Sequence, residues 1–192
     1  MKNSTKKRLI IGMSGASGAV LGISVLKALA DLPEWESHLL ISEGAAKTIQ
    51  IETSYSLEEV KALATRVYEF KDIGASIASG TYQTEGMVII PCSMKTLAGI
   101  NSGYSDNLLL RAADVVLKER RKLVLVPRET PFNTIHLRNM TELSQMGVIM
   151  LPPMLTFYNN PQSIENMVEH ITGKVLDIFG IASPNFKRWQ TP

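Results

Sequence analysis

The sequence reads as an α/β protein: a mostly parallel sheet in a single domain, with helices covering both faces. Two observations carry that reading. Short runs rich in Val, Ile and Leu alternate with segments of helical periodicity, and the runs are continuously apolar, as strands buried on both sides must be. A third observation concerns placement, since most of the small, hydroxyl-bearing and charged clusters follow directly after the apolar runs.

The elements follow in order. Residues 8–13 form a first strand, closed by a Gly/Ser cluster, and 20–30 the first helix. Residues 38–41 form the second strand, followed by helices over 45–52 and 57–68. The run 87–91 is a third strand, after which Ser93, Lys95 and Thr96 stand where a helix should start. A helix over 108–121 leads into strand 123–127, a helix over 135–146 into strand 148–151, and a last helix over 164–179 ends at Gly180, a suitable C-cap.

With 192 residues and a mass of 21.2 kDa, the chain is expected to form one unit spanning 1–192. Hydrophobic residues at 45% and charged ones at 20% argue against disorder and against a membrane span. A net charge of +2 gives no electrostatic case for nucleic acid. Cys92 is the single cysteine and has no internal partner, which points to a reducing cytoplasm. The start MKNSTKKRLIIG imitates a secretory signal, but its apolar run stops at Gly12, so a short basic tail before a strand explains it better.

Ligands of such sheets bind at the carboxyl ends of the strands. The segments found there are SGAS (14–17), Ser42 with Glu43, PCSMKT (91–96), PRE (127–129) and PPMLTFYNNP (152–161). Gly12, Gly15 and Gly18 allow a tight turn and close backbone approach, and the start of the first helix would attract an anion such as phosphate; the plainer alternative is a strand-to-helix turn. The spacing G-x-x-G-x-x-G is not a dinucleotide fingerprint, and the GK[ST] of a P-loop is missing. PCSMKT suits gripping a polar rim, or simply caps a helix. In LKERRKLVLVPRE (117–129) the basic residues before the strand suit a solvated helix end, whereas Arg128 and Glu129 sit at the ligand edge, where a guanidinium fork matches phosphate or a polar ring. His38, His136 and His170 make neither a metal spacing nor a triad, so they carry no assigned role and no metal is expected. Cys92 and the methionines read as core.

Five of these motifs carry more than a physical reading. GMSGASGA (12–19), PCSMKTLAGI (91–100), RAADVVLKERRKLVLVPRETP (111–131), IHLRNM (135–140) and LPPMLTFYNNPQS (151–163) together closely resemble the UbiX-like flavin prenyltransferases. That group includes small subunits associated with phenolic acid decarboxylases. The resemblance spans nearly the whole chain and implies a Rossmann-like three-layer sandwich. It implies transfer of a dimethylallyl group from dimethylallyl phosphate to N5 and C6 of reduced FMN, without a metal, giving the prenylated flavin used by a UbiD-type decarboxylase. It also implies a homo-oligomer, commonly a dodecamer, to which the C-terminal helix and tail (about 164–192) would contribute contacts.

Carried over by motif, Gly15, Ala16, Ser17, Ser42, Ser93, Met94, Lys95, Thr96 and Arg128 would line FMN. Ser79, Lys118, Tyr158 and Lys174 would hold the allyl phosphate, several of them reaching across from neighbouring subunits. Some relatives have Arg where Lys174 stands, which exchanges a fork for a point charge. Ser17, Glu52 and Glu129, with Lys118, fall at the family's catalytic positions; without the resemblance Glu52 would read as a surface carboxylate. An allyl cation gains from an aromatic face, which Trp189 or Tyr158 would supply. The competing readings are an FMN carrier or accessory subunit without prenyl transfer, a cysteinyl-peptide decarboxylase of the same fold, and a nucleotide-binding regulatory module. The retained Lys118, Glu129, Tyr158 and Lys174 speak against a carrier. The missing PxMNxxMW-like clamp speaks against the decarboxylase, and the absent dinucleotide fingerprint against the regulatory module.

Overall fold

In the computed structural model, which describes residues 6–184 and 186–189, the apolar runs become the strands of one parallel sheet. Residues 1–5 of the expected basic lead-in and 190–192 of the expected contact tail lie outside the described residues. The strands are β1 (Lys7–Met13), β2 (Trp35–Ile41), β3 (Arg66–Val67), β4 (Gly86–Cys92), β5 (Lys122–Pro127) and β6 (Ile149–Met150), in the order β3-β2-β1-β4-β5-β6. The helices are α1 (Ala19–Ala30), α2 (Glu43–Glu52), α3 (Leu57–Ala62), α4 (Met94–Asn101), α5 (Leu108–Lys118), α6 (Thr134–Gln145) and α7 (Ile164–Ile178), with a 3-10 turn at Ser76–Ala78.

Alternation along the strands splits the interior into two cores, because successive side chains point to opposite faces. Leu9, Ile11, Met13, Val88, Val124 and Val126 pack toward α1, α2, α3 and α7. Ile10, Met87, Ile89, Leu123 and Leu125 pack toward α4 and α5, with α6 contributing Leu143. The result is a Rossmann-like three-layer sandwich. Leu9, Ile11, Met87 and Ile89 are fully buried, and each such side chain contributes roughly 1.5–3 kcal/mol relative to exposure. Among the described residues no helix is long and apolar enough to cross a membrane.

The expected helix over 57–68 is corrected. α3 stops at Ala62, and the chain turns into β3. The cause lies in tertiary pairing: Thr65 N–H donates to Ser37 Oγ at 3.0 Å and Ser37 N–H to Thr65 Oγ1 at 3.2 Å. Arg66 then pairs beside His38, and Tyr68 N–H donates to the Leu39 carbonyl at 3.0 Å. Sheet pairing outweighs the helical periodicity there. Elsewhere the boundaries move by up to three residues: β2 starts at Trp35 instead of 38, and α5 ends at Lys118 instead of 121.

The chain order reverses direction between β1 and β4: from β1 it proceeds outward to β2, then returns to the other side. In open parallel sheets that switch point, at the carboxyl ends of the strands, opens a crevice.

Candidate active site

Ser14, the first residue past β1, closes the floor of that crevice. Its hydroxyl donates to the Pro91 carbonyl at 3.0 Å and accepts from Ser93 N–H at 2.7 Å, tying the β1 and β4 loops together. Gly15 then passes against the start of α2, where a Cβ on it would stand 3.0 Å from the Gly44 Cα. The two bare backbones touch, which a larger residue at either place would prevent. Gly18 has φ 109°, a left-handed conformation suited to glycine, and turns the chain into α1.

α1 has no side-chain cap of its own. The carboxylate of Glu52, at the end of α2, supplies one by accepting from Gly18 N–H at 2.8 Å and Ala19 N–H at 3.0 Å. Burial pushes the Glu52 pKa upward, but the two backbone donors, the Ser17 hydroxyl and the Arg128 charge outweigh it and hold the carboxyl below its ordinary value. One sequence expectation changes accordingly. The anion at the start of α1 is the chain's own Glu52, so that terminus does not await a phosphate. Glu52, which the resemblance puts at a catalytic position, is here an exposed capping carboxylate in contact with Ser17.

The N-termini of α2, α4 and α5 open onto one cleft. Ser42 caps α2 by accepting from Ala45 N–H at 3.1 Å, and Ser93 caps α4 by accepting from Thr96 N–H at 3.3 Å. Together with Gly15, Lys95 and Thr96 they line a cleft of about 700 Å³ whose far wall is Phe70, Lys71, Tyr104, Asp106 and Asn107. Ala16 is buried beside it, and Met94 packs partly into the core beneath. Arg128 joins through its backbone, its N–H donating to the Cys92 carbonyl at 3.1 Å, and leaves its guanidinium exposed. Backbone N–H groups, hydroxyls and a lysine at helix N-termini make this cleft a site for an anionic, polar-edged ligand. Cys92 beneath it is fully buried, and burial pushes its thiol pKa far up, so it is core.

The remaining site candidates stand elsewhere. Lys118 ends α5 and is immediately followed by the turn into β5, so it lies at the amino edge of the sheet. Six residues of β5 separate that edge from Arg128, about 20 Å at 3.3 Å per residue. Gly80, next to Ser79 in the chain, is the neighbour of Lys118 there, since Lys118 Nζ lies 2.8 Å from where a Cβ on Gly80 would stand. Tyr158 and Lys174 occupy a third place, a pocket of about 510 Å³ beside β6 and α7, walled by Leu151, Pro152, His170, Phe186, Arg188 and Trp189. Tyr158 meets His170 and Trp189 edge-to-face, with centroids 5.6 and 5.3 Å apart. Burial and then the Lys174 charge lower the His170 pKa. Glu129 is exposed, one oxygen accepting from Thr130 N–H at 3.0 Å.

One chain therefore brings together Gly15, Ser42, Ser93, Lys95 and Thr96, joins Ala16, Ser17, Glu52 and Arg128 to them, and leaves Ser79 with Lys118 and Tyr158 with Lys174 apart. The expectation that the chemistry shares one edge holds for the strand-end segments and fails for Ser79 and Lys118. Sequence reasoning placed Ser14 in the strand-end segment 14–17 without giving it a role, and missed the cleft wall at Phe70, Lys71 and Tyr104. Ser14 was signalled only by its place directly after β1.

A flavoprotein family model matches residues 1–178. A probable UbiX-like flavin prenyltransferase of Sedimentibacter hydroxybenzoicus is 57% identical over 183 residues, covering 95% of this chain and 97% of the relative. Flavin prenyltransferase UbiX of Escherichia coli strain K12 is 52% identical over 186 residues, covering 96% of this chain and 98% of the relative. Among solved structures, a dodecameric FMN-dependent UbiX-like decarboxylase from Escherichia coli O157:H7 superposes with a TM-score of 0.94 at 55% identity, covering 96% of this chain and all of the other. AnUbiX in complex with FMN and dimethylallyl pyrophosphate superposes with a TM-score of 0.95 at 47% identity, covering 97% and 98%.

Proposed function

The chain belongs to the flavoprotein family, among its UbiX-like flavin prenyltransferases, and from that premise we propose how its residues perform the transfer. It is a flavin prenyltransferase that joins a dimethylallyl group to N5 and C6 of FMN. The observation that carries this reading is the strand-end cleft, in which Gly15, Ser93, Lys95 and Thr96 belong to two of the motifs shared with the family. The cleft fits FMN in its own chemistry: bare glycine backbone at Gly15, capping hydroxyls at Ser42 and Ser93, and Lys95 at the N-terminus of α4.

In this reading Gly15, Ala16, Ser17, Ser42, Ser93, Met94, Lys95, Thr96 and Arg128 bind the flavin, with its phosphate served by Lys95 and the start of α4 rather than by α1. Reduced FMN supplies the two nucleophilic positions. Ser79, Lys118, Tyr158 and Lys174 hold the phosphate of dimethylallyl phosphate, where fixed cations and hydroxyls stabilise charge as the carbon–oxygen bond breaks. The faces of Tyr158 and Trp189 favour the allyl cation. Glu52, ionised at neutral pH by its backbone donors, accepts from Ser17 and orients that hydroxyl toward the flavin edge. Glu129 takes up a proton as the new bonds form.

Ser79 with Lys118 and Tyr158 with Lys174 belong to opposite faces of the sheet, through α5 and α7. One phosphate site using all four therefore requires more than one chain. We read the protein as a homo-oligomer, dodecameric like its Escherichia coli O157:H7 relative. The chain forms one flavoprotein domain, and its segment from about 164 onward contributes subunit contacts. Exposed Met154, Leu155, Phe157, Ile164 and Trp189 around the α7 pocket support that surface. The recipient of the product is a UbiD-type decarboxylase, and the compartment is the cytoplasm.

The test is anaerobic incubation of the protein with reduced FMN and dimethylallyl phosphate, then mass spectrometry of the extracted flavin. Gain of one C5H8 unit is expected. Tightly bound but unmodified flavin would favour the carrier reading.

A further inference from the structure

The loop that carries Ser79 is fixed by a side chain outside the set described above. Arg121, in the turn between α5 and β5, donates from one guanidinium nitrogen to the Gly80 carbonyl at 2.6 Å and from the other to the Tyr82 carbonyl at 2.8 Å. Thr84 Oγ1 lies a further 3.5 Å away. A planar fork suits this task, because two donors in fixed geometry clamp two carbonyls two residues apart. Thr81, between the clamped residues, shares a 2.9 Å hydrogen bond between its Oγ1 and Ser79 Oγ.

Gly80 completes the arrangement from the other side. A Cβ there would stand 2.1 Å from Glu119 Oε1 and 2.8 Å from Lys118 Nζ. Lys118, paired with Glu119, lies over backbone that glycine alone leaves bare. The hydrogen bond from Lys118 and the Lys118 charge keep the Glu119 carboxyl below its ordinary pKa.

We propose that Arg121 is a positioning residue for the donor phosphate: by clamping the Gly80 and Tyr82 carbonyls it sets Ser79 beside Lys118, and Gly80 leaves the space in which Lys118 lies. The inference rests on the reading of Ser79 and Lys118 as phosphate ligands. It separates Arg121 from an ordinary loop staple, because the flavin cleft is at the other edge of the sheet and would not feel the loss.

The experiment compares Arg121→Ala, Arg121→Lys, Gly80→Ala and Ser79→Ala in the full-length protein. It measures KM for dimethylallyl phosphate, kcat, FMN affinity and melting temperature. Displacing phosphate ligands by about an ångström raises KM on the order of tenfold or more. That rise is expected for Arg121→Ala, with FMN affinity unchanged; a Cβ at Gly80 meets only the flexible ends of Glu119 and Lys118, which move aside, so Gly80→Ala is expected to raise KM less. Arg121→Lys, which keeps the charge without the fork, is expected to fall between Arg121→Ala and the parent. If Arg121→Ala leaves KM unchanged while Ser79→Ala raises it, the positioning role is wrong and the phosphate reading survives. If Ser79→Ala also leaves KM unchanged, both fall. Parallel loss of kcat, FMN affinity and melting temperature in Arg121→Ala would make Arg121 a structural staple only. Should that variant not fold, Arg121→Lys decides by the same criteria.

Discussion

The flavin cleft and the donor-phosphate residues are built in opposite ways. The cleft is assembled within one chain, at the switch point of the sheet, and is held by hydrogen bonds spanning long sequence distances, such as Ser14 to Ser93 and Glu52 to Gly18. Ser79, Lys118, Tyr158 and Lys174 are exposed and divided between two faces of the sheet. On the proposed assignment, FMN affinity is a property of the folded chain and turnover a property of the assembly.

Substitutions that strike only one region test this contrast, and the largest effect is expected at Glu129. It lies outside the cleft lining, so Glu129→Gln should retain FMN while turnover falls about a hundredfold or more; loss of bound flavin, read from its absorbance, would move Glu129 into the cleft's framework. Arg128→Ala should do the reverse and weaken FMN binding roughly tenfold, as loss of a charged hydrogen-bonding group does. Unchanged affinity in a flavin titration would remove Arg128 from the cleft.

Smaller effects fall on the framework. Ser14→Ala leaves the Ser93 N–H without its acceptor and should cost about 1–3 kcal/mol, visible as a melting temperature lower by several degrees and as weaker FMN binding. The smallest change is expected for Glu52→Gln. The folded pKa of Glu52 lies below its unfolded value, so its stabilisation is complete above the unfolded pKa and is lost as pH falls through the folded one. Glu52→Gln should therefore lower stability near neutrality by at most about 1 kcal/mol, the exposed cap being partly screened. It should also flatten the acid side of the stability profile; an unchanged profile would show that the α1 cap is energetically idle.

The same contrast explains what was legible in the sequence. β1, β4 and β5 announce themselves because a strand buried on both faces must be continuously apolar, and their first polar residues then mark the ligand edge. β3 does not: Arg66–Val67 is an exposed two-residue edge strand, drawn into the sheet by the Ser37–Thr65 pair and the Tyr68 N–H on the Leu39 carbonyl. Glu52 has the look of a surface carboxylate because its partners are 33 and 34 residues away. Arg121 hides in a basic run, its role set by carbonyls 39 and 41 residues earlier. Periodicity reports which face of an element is buried, not which distant backbone group a side chain will meet.

The most direct test of a cleft contained in one chain and a phosphate site shared between chains is subunit complementation. Arg128→Ala and Lys118→Met chains, each impaired alone, would be co-expressed with different tags, purified as mixed oligomers and assayed at an FMN concentration that leaves the Arg128→Ala clefts largely empty. If Lys118 serves a neighbour's flavin, some sites in the mixture combine an intact cleft with an intact lysine, and prenyl transfer should rise far above both parents. Activity no greater than that of the two parents would contradict the account and return Lys118 to the site of its own chain.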